Sequence, residues 1–382
     1  MFTLYKFELR KIIKRKIVWI TGGILLIGLL LWAIANSVLP QSREYSDKSL
    51  NGYKMNHIEQ QAADKIAGRE IDQSLINEMS KNYEEFIFNG AYEKALPYID
   101  IYNFISETLG THASGEILKV DSDILYYTLN EQLKENTTIK LSESYLFDNP
   151  IIYQGYFDGW RQLANILKVL VCMEIMFIVI SLSTVFTIEH IRKTDQLILC
   201  SRYGKKKLYI AKIFAGLTVS ILFTLILSLF IFGIISVMYG FNGYNTILQF
   251  ILMRPFDLTI GQSVIILIGL SFVATVLVSI FCMVLSELTK NNVATIGIIT
   301  GIMIFTIFIS EMPSNFKVLY EIWYLLPSNL ISLNGAFRYC TLNIGENPLI
   351  AYQYAPIIYL IFATLLSFIG KISYNSYQIS GR

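Results

Sequence analysis

Glu174 is the residue whose type and position most suggest chemistry, because it is the one acid within a long apolar run. An ionisable group at membrane depth is costly and usually faces a bundle interior or a watery cavity. Lys168 lies six residues earlier, a spacing that is poor for an ion pair on one helix face. Glu174 is therefore a candidate for the translocation pathway, and a structural hydrogen bond to a neighbouring helix is the alternative that we favour.

Motifs of enzymes and metal centres do not occur in this sequence. The Tyr203-Gly204-Lys205 stretch lacks the earlier glycine and the following Ser or Thr of a Walker A loop. Zinc-protease, nucleophile-elbow and kinase signatures are also missing. The three histidines and four cysteines share no metal-like spacing. The sequence thus predicts a chain that is not an enzyme, with no catalytic residue, no metal and no cofactor of its own.

The stretch from Thr187 to Lys212 lies between two apolar runs and is strongly basic. It carries Arg192, Lys193, Arg202, Lys205, Lys206, Lys207 and Lys212 against Glu189 and Asp195. A short basic loop beside membrane spans predicts the cytoplasmic side by the positive-inside rule. Asp195 to Tyr203 reads as a short helix with Leu197, Ile198 and Leu199 in its middle. Such a helix at the membrane surface indicates a docking element.

The composition indicates the membrane elements that would position these residues. The chain is 54% hydrophobic and 14% aromatic, and its mean hydropathy is +0.50. Apolar runs long enough to span a bilayer predict six transmembrane helices and place both termini inside. The predicted spans are 17–39, 164–186, 213–239, 262–285, 293–310 and 349–370.

Residues 2–16 are predicted to form an amphipathic helix on the inner membrane surface. Phe2, Tyr5, Leu9, Ile12 and Ile13 fall on one stripe at 100° per residue. The basic side chains that would face anionic lipid headgroups are those of Lys6, Arg10, Lys14 and Arg15. A plain basic flank that sets the topology is the alternative.

Residues 40–160 are predicted to be an extracellular, mainly helical domain. This stretch holds twice as many acidic as basic residues, which predicts that it is exposed to solvent. The residues that follow helical spacing are Ile76, Met79, Tyr83, Phe86 and Ile87, then Ile101 with Phe104 or Ile105, and later Ile124 and Thr128.

Two further features lie in the C-terminal half. Residues 318–333 are apolar and aromatic but are interrupted by Pro327, so within 311–348 they predict a re-entrant half-helix or a surface-lying helix. Gly297 and Gly301 form a small-xxx-small face that allows close helix packing, within one subunit or between two.

The predicted fold class is an all-α polytopic membrane protein of six transmembrane helices. Its predicted parts are an interfacial helix (1–16), a first transmembrane helix (17–39), an extracellular domain (40–160) and a five-helix region (161–382). The coupling loop is 187–212, and the re-entrant-like segment is 311–348.

This layout resembles permease subunits of the ABC-2 exporter class. The local match is FTIEHIRKTDQLILCSRYGKKKLYIAKI, residues 186–213, which is similar to the family's acid, short Leu/Ile-rich helix, basic stretch and opening Lys of the third span. In that family this segment is the coupling helix that seats on the ATPase. The family's Gly-Thr step after the acid is Lys193-Thr194-Asp195 here, a partial departure.

The resemblance implies a set of residues that dock on an ATPase. They are Glu189, Lys193, Thr194, Asp195, Leu197, Ile198, Leu199 and Arg202. It also implies a separate cytoplasmic ABC ATPase that binds ATP and Mg, a second permease chain in a homodimer or heterodimer, and a bacterial plasma membrane as the site. The cargo class would be an amphipathic peptide, lipid or drug-like compound, with antimicrobial-peptide export or self-immunity as a use.

Two other functions stay open on the sequence. One is an ion-coupled secondary transporter, although inverted repeats are not visible and Glu174 is the one intramembrane acid. The other is a non-transporting membrane sensor or assembly protein, which would not depend on ATP hydrolysis. Basic residues beside apolar runs have membrane lipid as their expected partner, so no nucleic acid is implied.

Overall fold

The computed structural model describes residues 2–41, 50–113, 141, 150–192, 206–254, 256–309, 312–313, 315–338, 342–344 and 347–376. Within these residues the chain is predominantly helical, which confirms the all-α prediction. The strands among them form two short antiparallel pairs. β1 (Pro40–Gln41) pairs with β2 (Leu50–Asn51), and β3 (Leu342–Ile344) pairs with β4 (Asn347–Leu349).

The α-helices are numbered here in chain order. They are α1 (Phe2–Ile13), α2 (Lys16–Val38), α3 (Gly52–Ala63), α4 (Gln73–Asn89), α5 (Tyr92–Ala95), α6 (Ile99–Ala113), α7 (Asp158–Leu182), α8 (Thr184–Ile191), α9 (Lys206–Tyr239), α10 (Ile260–Thr289), α11 (Asn292–Phe308), α12 (Lys317–Tyr324), α13 (Pro327–Leu330), α14 (Leu333–Ala336) and α15 (Ala351–Ser376).

Five of the described helical stretches are long and apolar enough to cross a membrane. They are α2, α7 with its continuation α8, α9, α10 and α15. Each overlaps a predicted span, because uninterrupted apolar runs of this length favour a helix whatever packs around them. The remaining predicted span, 293–310, coincides with α11, an apolar helix of 17 residues. At 1.5 Å per residue α11 is about 26 Å long, at the lower limit for a span, so the count of six stays a prediction.

Side-chain caps fix where several helices begin. The side-chain oxygen of Asn291 accepts hydrogen bonds from the amides of Val293 and Ala294, so α11 begins directly after the end of α10. Asp72 accepts from the amide of Leu75 in the same way at α4. These contacts satisfy amides that lack a partner in the first turn of a helix.

The described chain divides into two compact units. The first comprises Met1–Leu30, Ala164–Phe232 and Ile266–Arg382, and the second comprises Leu31–Leu163 and Gly233–Ile265. The second unit therefore takes in a stretch beyond residue 160 that the sequence analysis did not assign to it. Each unit has its own buried side chains.

The first unit is a helix bundle with close helix contacts. Phe177 of α7 and Phe223 of α9 stack with their ring centroids 3.6 Å apart. The Met283 side chain of α10 fills the space beside Gly216 of α9, where a Cβ would lie 2.4 Å from its sulfur. Close contacts between helices fix the positions of the polar side chains on their buried faces.

The second unit has a helical core that matches the predicted spacing. Ile76, Met79 and Tyr83 of α4 are buried, as are Ile101 and Phe104 of α6. The ring of Phe104 stacks on that of Phe250, with centroids 4.3 Å apart. Helices are thus confirmed at these residues, although Ile87 of the same predicted stripe is 39% exposed and Ile124 and Thr128 lie outside the described residues.

Residues 318–333 form the short helices α12, α13 and the start of α14. Trp323 is buried, whereas Val318 and Ile322 are exposed. Arg338 donates to Glu321 at 2.8 Å and lies over the rings of Tyr320 and Tyr324. Broken short helices fit both predicted arrangements, re-entrant and surface-lying.

Candidate coupling and translocation sites

Four charged side chains from three helices meet in the first unit. They are Glu8 and Lys11 of α1, Glu189 of α8 and Lys212 of α9, and we call them the buried ion cluster. In these contacts two carboxylates face two ammonium groups, so each charge has a partner of opposite sign. Balance matters because a buried charge without a partner is strongly destabilising.

Lys212 is the most deeply buried member of this cluster, with 0% of its side chain exposed. Its Nζ donates to Glu189 Oε1 at 2.6 Å and to the carbonyl of Val185 at 2.9 Å, and it lies 4.9 Å from the ring centroid of Phe186. These three contacts replace much of the hydration that an ammonium group loses on burial. Lys212 thus ties the start of α9 to α8.

Lys11 connects the N-terminal helix to the same carboxylate. Its Nζ lies 3.1 Å from Glu189 Oε1 and 3.5 Å from Glu8 Oε2. Glu8 is 3% exposed, although the sequence pattern assigned only apolar residues to the inner face of this helix. α1 is therefore attached to the bundle by charge as well as by Ile12, which is also buried.

Arg15 differs from the other basic residues predicted to face lipid headgroups. Lys6, Arg10 and Lys14 are exposed, as a membrane-surface role requires. Arg15 is partly buried and donates to the carbonyl of Ser181 at 3.1 Å and to the hydroxyl of Thr184. Burial lowers the pKa of Arg15 from its ordinary value. Arg15 thus anchors the link between α1 and α2 to the junction of α7 and α8.

Most of the predicted ATPase-docking residues lie outside the described residues. They are Lys193, Thr194, Asp195, Leu197, Ile198, Leu199 and Arg202. Glu189 is described, is 6% exposed and belongs to the buried ion cluster. The structure therefore describes the two flanks of residues 193–205, which end at Arg192 and resume at Lys206.

A further buried carboxylate lies on α10 near the end of α8. Glu287 Oε2 is 3.7 Å from Nε2 of His190, and Glu287 is 1% exposed. Next to it, the Ser286 hydroxyl donates to the carbonyl of Ser183 at 2.5 Å. The predicted fourth span ends at 285, whereas α10 continues to Thr289 and so carries Glu287 into the bundle.

Glu174 of α7 is buried among the helices of the first unit and is 3% exposed. The hydroxyl of Thr275 on α10 donates to Glu174 Oε2 at 3.3 Å. That hydroxyl also lies 2.9 Å from the hydroxyl of Thr224 on α9. Glu174 thus starts a short polar chain across three helices, and Lys168 is exposed rather than paired with it.

The predicted packing face of α11 has no neighbour in the described part of the chain. A Cβ placed on Gly297 or on Gly301 would meet no atom within 4 Å. Both glycines are exposed. Both predicted alternatives, packing inside one subunit and packing between two, stay predictions.

Lys11, Lys212 and Glu8 are the cluster residues that the predicted docking set missed. A lysine within an apolar run is a signal for Lys212, because a charge there needs a buried partner. An acid inside a basic amphipathic helix is the corresponding signal for Glu8. The sequence holds no comparable signal for Lys11, whose contact with Glu189 joins residues 178 positions apart.

Comparisons with known proteins add little to this geometry. No family model matches the chain, and no solved structure matches it. The chain is similar to the photosystem II extrinsic protein U of Parasynechococcus marenigrum (strain WH8102), with 29% identity over 131 residues. That match covers 33% of this chain and 84% of the other protein, so it assigns no family to the chain as a whole.

Proposed function

We propose that this chain is a permease subunit of an ATP-driven exporter of the ABC-2 class. The buried ion cluster is the observation that supports it most. Glu189 and Lys212 flank residues 193–205, and their contact at 2.6 Å holds the two flanks together. Lys11 adds α1 to the same point. A partner that binds the docking segment would therefore transmit its motion through the buried ion cluster to α1, α8 and α9 together.

The rest of the assembly follows from the same proposal. A separate cytoplasmic ATPase binds ATP and Mg and docks on residues 193–202. Two permease chains line the pathway in a bacterial plasma membrane, with both termini inside and α11 as the sixth span. The part of the second unit between α2 and α7 faces outward. The cargo is an amphipathic peptide, lipid or drug-like compound.

Reconstitution with an ATPase encoded beside this gene tests the proposal. We expect the permease to stimulate ATP hydrolysis, and we expect Leu197→Asp/Ile198→Asp/Leu199→Asp to abolish that stimulation without loss of folded permease. Leu288→Asp is the matched control, because Leu288 is an exposed apolar residue outside the predicted dock. Stimulation that survives the triple replacement would count against this function.

The Glu174 site favours a second candidate, an ion-coupled secondary transporter. A buried carboxylate hydrogen-bonded to Thr275, which in turn contacts Thr224, is an arrangement that a proton or cation can use. This candidate predicts transport driven by an ion gradient in vesicles that contain no ATP. Transport that requires ATP hydrolysis would exclude it.

A further inference from the structure

An open groove of about 400 Å³ lies in the first unit along α9 and α15. Phe214 and Leu217 line it from α9, and Thr364 and Phe368 line it from α15. The volume lies within the range of about 300–1,000 Å³ that is usual for small-molecule sites in proteins. α15 runs tightly beside α9 here, since a Cβ on Gly370 would lie 2.6 Å from the hydroxyl of Tyr209.

Two hydroxyl groups on the groove walls, those of Thr364 and Tyr209, already donate to protein carbonyls. The Thr364 hydroxyl donates to the carbonyl of Ile361 at 2.8 Å, within its own helix. The Tyr209 hydroxyl donates to the carbonyl of Ser367 at 2.8 Å. The walls therefore present mainly apolar surface and select a hydrocarbon ligand over a polar one.

Lys371 supplies the charge at one end of the groove. It has no carboxylate partner among the described residues, and its side chain is partly exposed. Eight residues separate Lys371 from Ala363 at the other end of the α15 wall, a rise of about 12 Å at 1.5 Å per residue. An elongated apolar groove with a cation at one end is complementary to a hydrocarbon chain with an anionic head.

We propose that this groove binds one acyl chain of an anionic phospholipid, with the phosphate at Lys371. Lysines near helix ends extend their amines to the headgroup layer, and basic residues there attract anionic lipid. The site requires only that α9 and α15 lie in a membrane. It is independent of the ATPase partner, so failure of the export proposal leaves it intact.

Native mass spectrometry of the purified full chain tests this site. We would titrate the chain with phosphatidylglycerol and with phosphatidylcholine of the same acyl chains. We expect tighter binding of phosphatidylglycerol, and we expect Lys371→Gln to reduce that preference by about fivefold, the factor typical of one basic residue at a membrane surface. Thr364→Trp, which fills the groove, should weaken binding of both lipids.

Lys168→Gln is the matched control, because Lys168 is an exposed lysine on another long apolar helix and outside the groove. We expect this variant to bind both lipids as the unaltered chain does. Size-exclusion chromatography verifies that each variant is folded. Equal binding of the two lipids by the unaltered chain would overturn the proposal, and so would an unchanged preference in Lys371→Gln.

Discussion

Two buried carboxylates in the first unit, Glu189 and Glu174, have opposite surroundings. Glu189 accepts from Lys212 at 2.6 Å and from Lys11 at 3.1 Å, so its charge is balanced by cations from two helices. Glu174 accepts from the hydroxyl of Thr275 at 3.3 Å, and no Lys or Arg among the described residues pairs with it.

The difference separates a carboxylate that fixes structure from one that can respond. Breaking a balanced buried pair is costly, so Glu189 holds α1, α8 and α9 in one arrangement. A buried carboxylate without a cation changes its free energy whenever a proton or a cation reaches it. Glu174 is accordingly the better candidate for contact with a transported species, and Glu189 is the better candidate for transmitting motion.

Removing the cation from Glu189 should have the largest effect on stability. Lys212→Met removes the fully buried cation from Glu189 and leaves the partly exposed Lys11 beside it, and we expect a loss of about 3–5 kcal/mol. Thermal unfolding of the detergent-purified chain measures it. Lys212→Met/Glu189→Gln should recover much of the loss, because the uncompensated charge is then gone. A stable Lys212→Met variant would show that Glu189 does not depend on this partner.

Glu174→Gln tests the carboxylate that has no cationic partner among the described residues. The amide keeps an acceptor for Thr275, so we expect stability to change by less than about 1 kcal/mol. Transport should nevertheless be strongly impaired, since the titratable group is lost. Cargo flux in proteoliposomes and the yield of assembled complex are the two measurements. Unchanged transport would remove Glu174 from the translocation pathway.

The helices of this bundle follow from sequence because their apolar runs are long. The predicted span 213–239 corresponds to α9, and 262–285 corresponds to α10, with differences of a few residues at the ends. The predicted ends of the helices are less accurate. Residues 206–212 form the first turns of α9, whereas their charges predict that they belong to the loop 187–212.

The partners of the two carboxylates could not be predicted in the same way. Glu174 stood out because an acid in an apolar run is visible without any knowledge of neighbours. Thr275 and Thr224 did not, because hydroxyls in apolar helices are common and their contact depends on helix rotation. Lys11 pairs with Glu189 only because α1 packs against α8, a tertiary contact that no local pattern encodes.

Lys11→Met should have a smaller effect than Lys212→Met, because the Lys11 side chain is 30% exposed and water screens its charge. We expect about 1 kcal/mol of destabilisation, together with weaker stimulation of a reconstituted ATPase if α1 transmits motion. Lys6→Met is the control, since Lys6 is exposed on the same helix. If Lys11→Met and Lys6→Met changed stability and ATPase stimulation equally, the contact of Lys11 with Glu189 would be unimportant.

Glu78 extends the comparison to a carboxylate outside the long apolar helices, and its expected effect is the smallest. The Tyr98 hydroxyl donates to Glu78 Oε1 at 2.5 Å and Arg69 lies 2.8 Å from Oε2, so the pKa of Glu78 falls below its ordinary value of 4.5, mainly through the Tyr98 hydrogen bond. A lowered pKa in the folded state stabilises the fold above pH 4.5, and that stability is lost as the pH falls through the lowered pKa.

Tyr98→Phe should therefore make α4 less sensitive to acid. Without the hydroxyl, the pKa of Glu78 moves back toward its ordinary value, so less stability remains to be lost between pH 7 and pH 3. The change should be below about 1 kcal/mol because Glu78 is partly exposed. Amide hydrogen exchange of residues 73–89 at the two pH values measures it, with Tyr53→Phe as the exposed-tyrosine control. An acid response equal to that of the unaltered chain would show that Arg69 alone holds this carboxylate in its charged form.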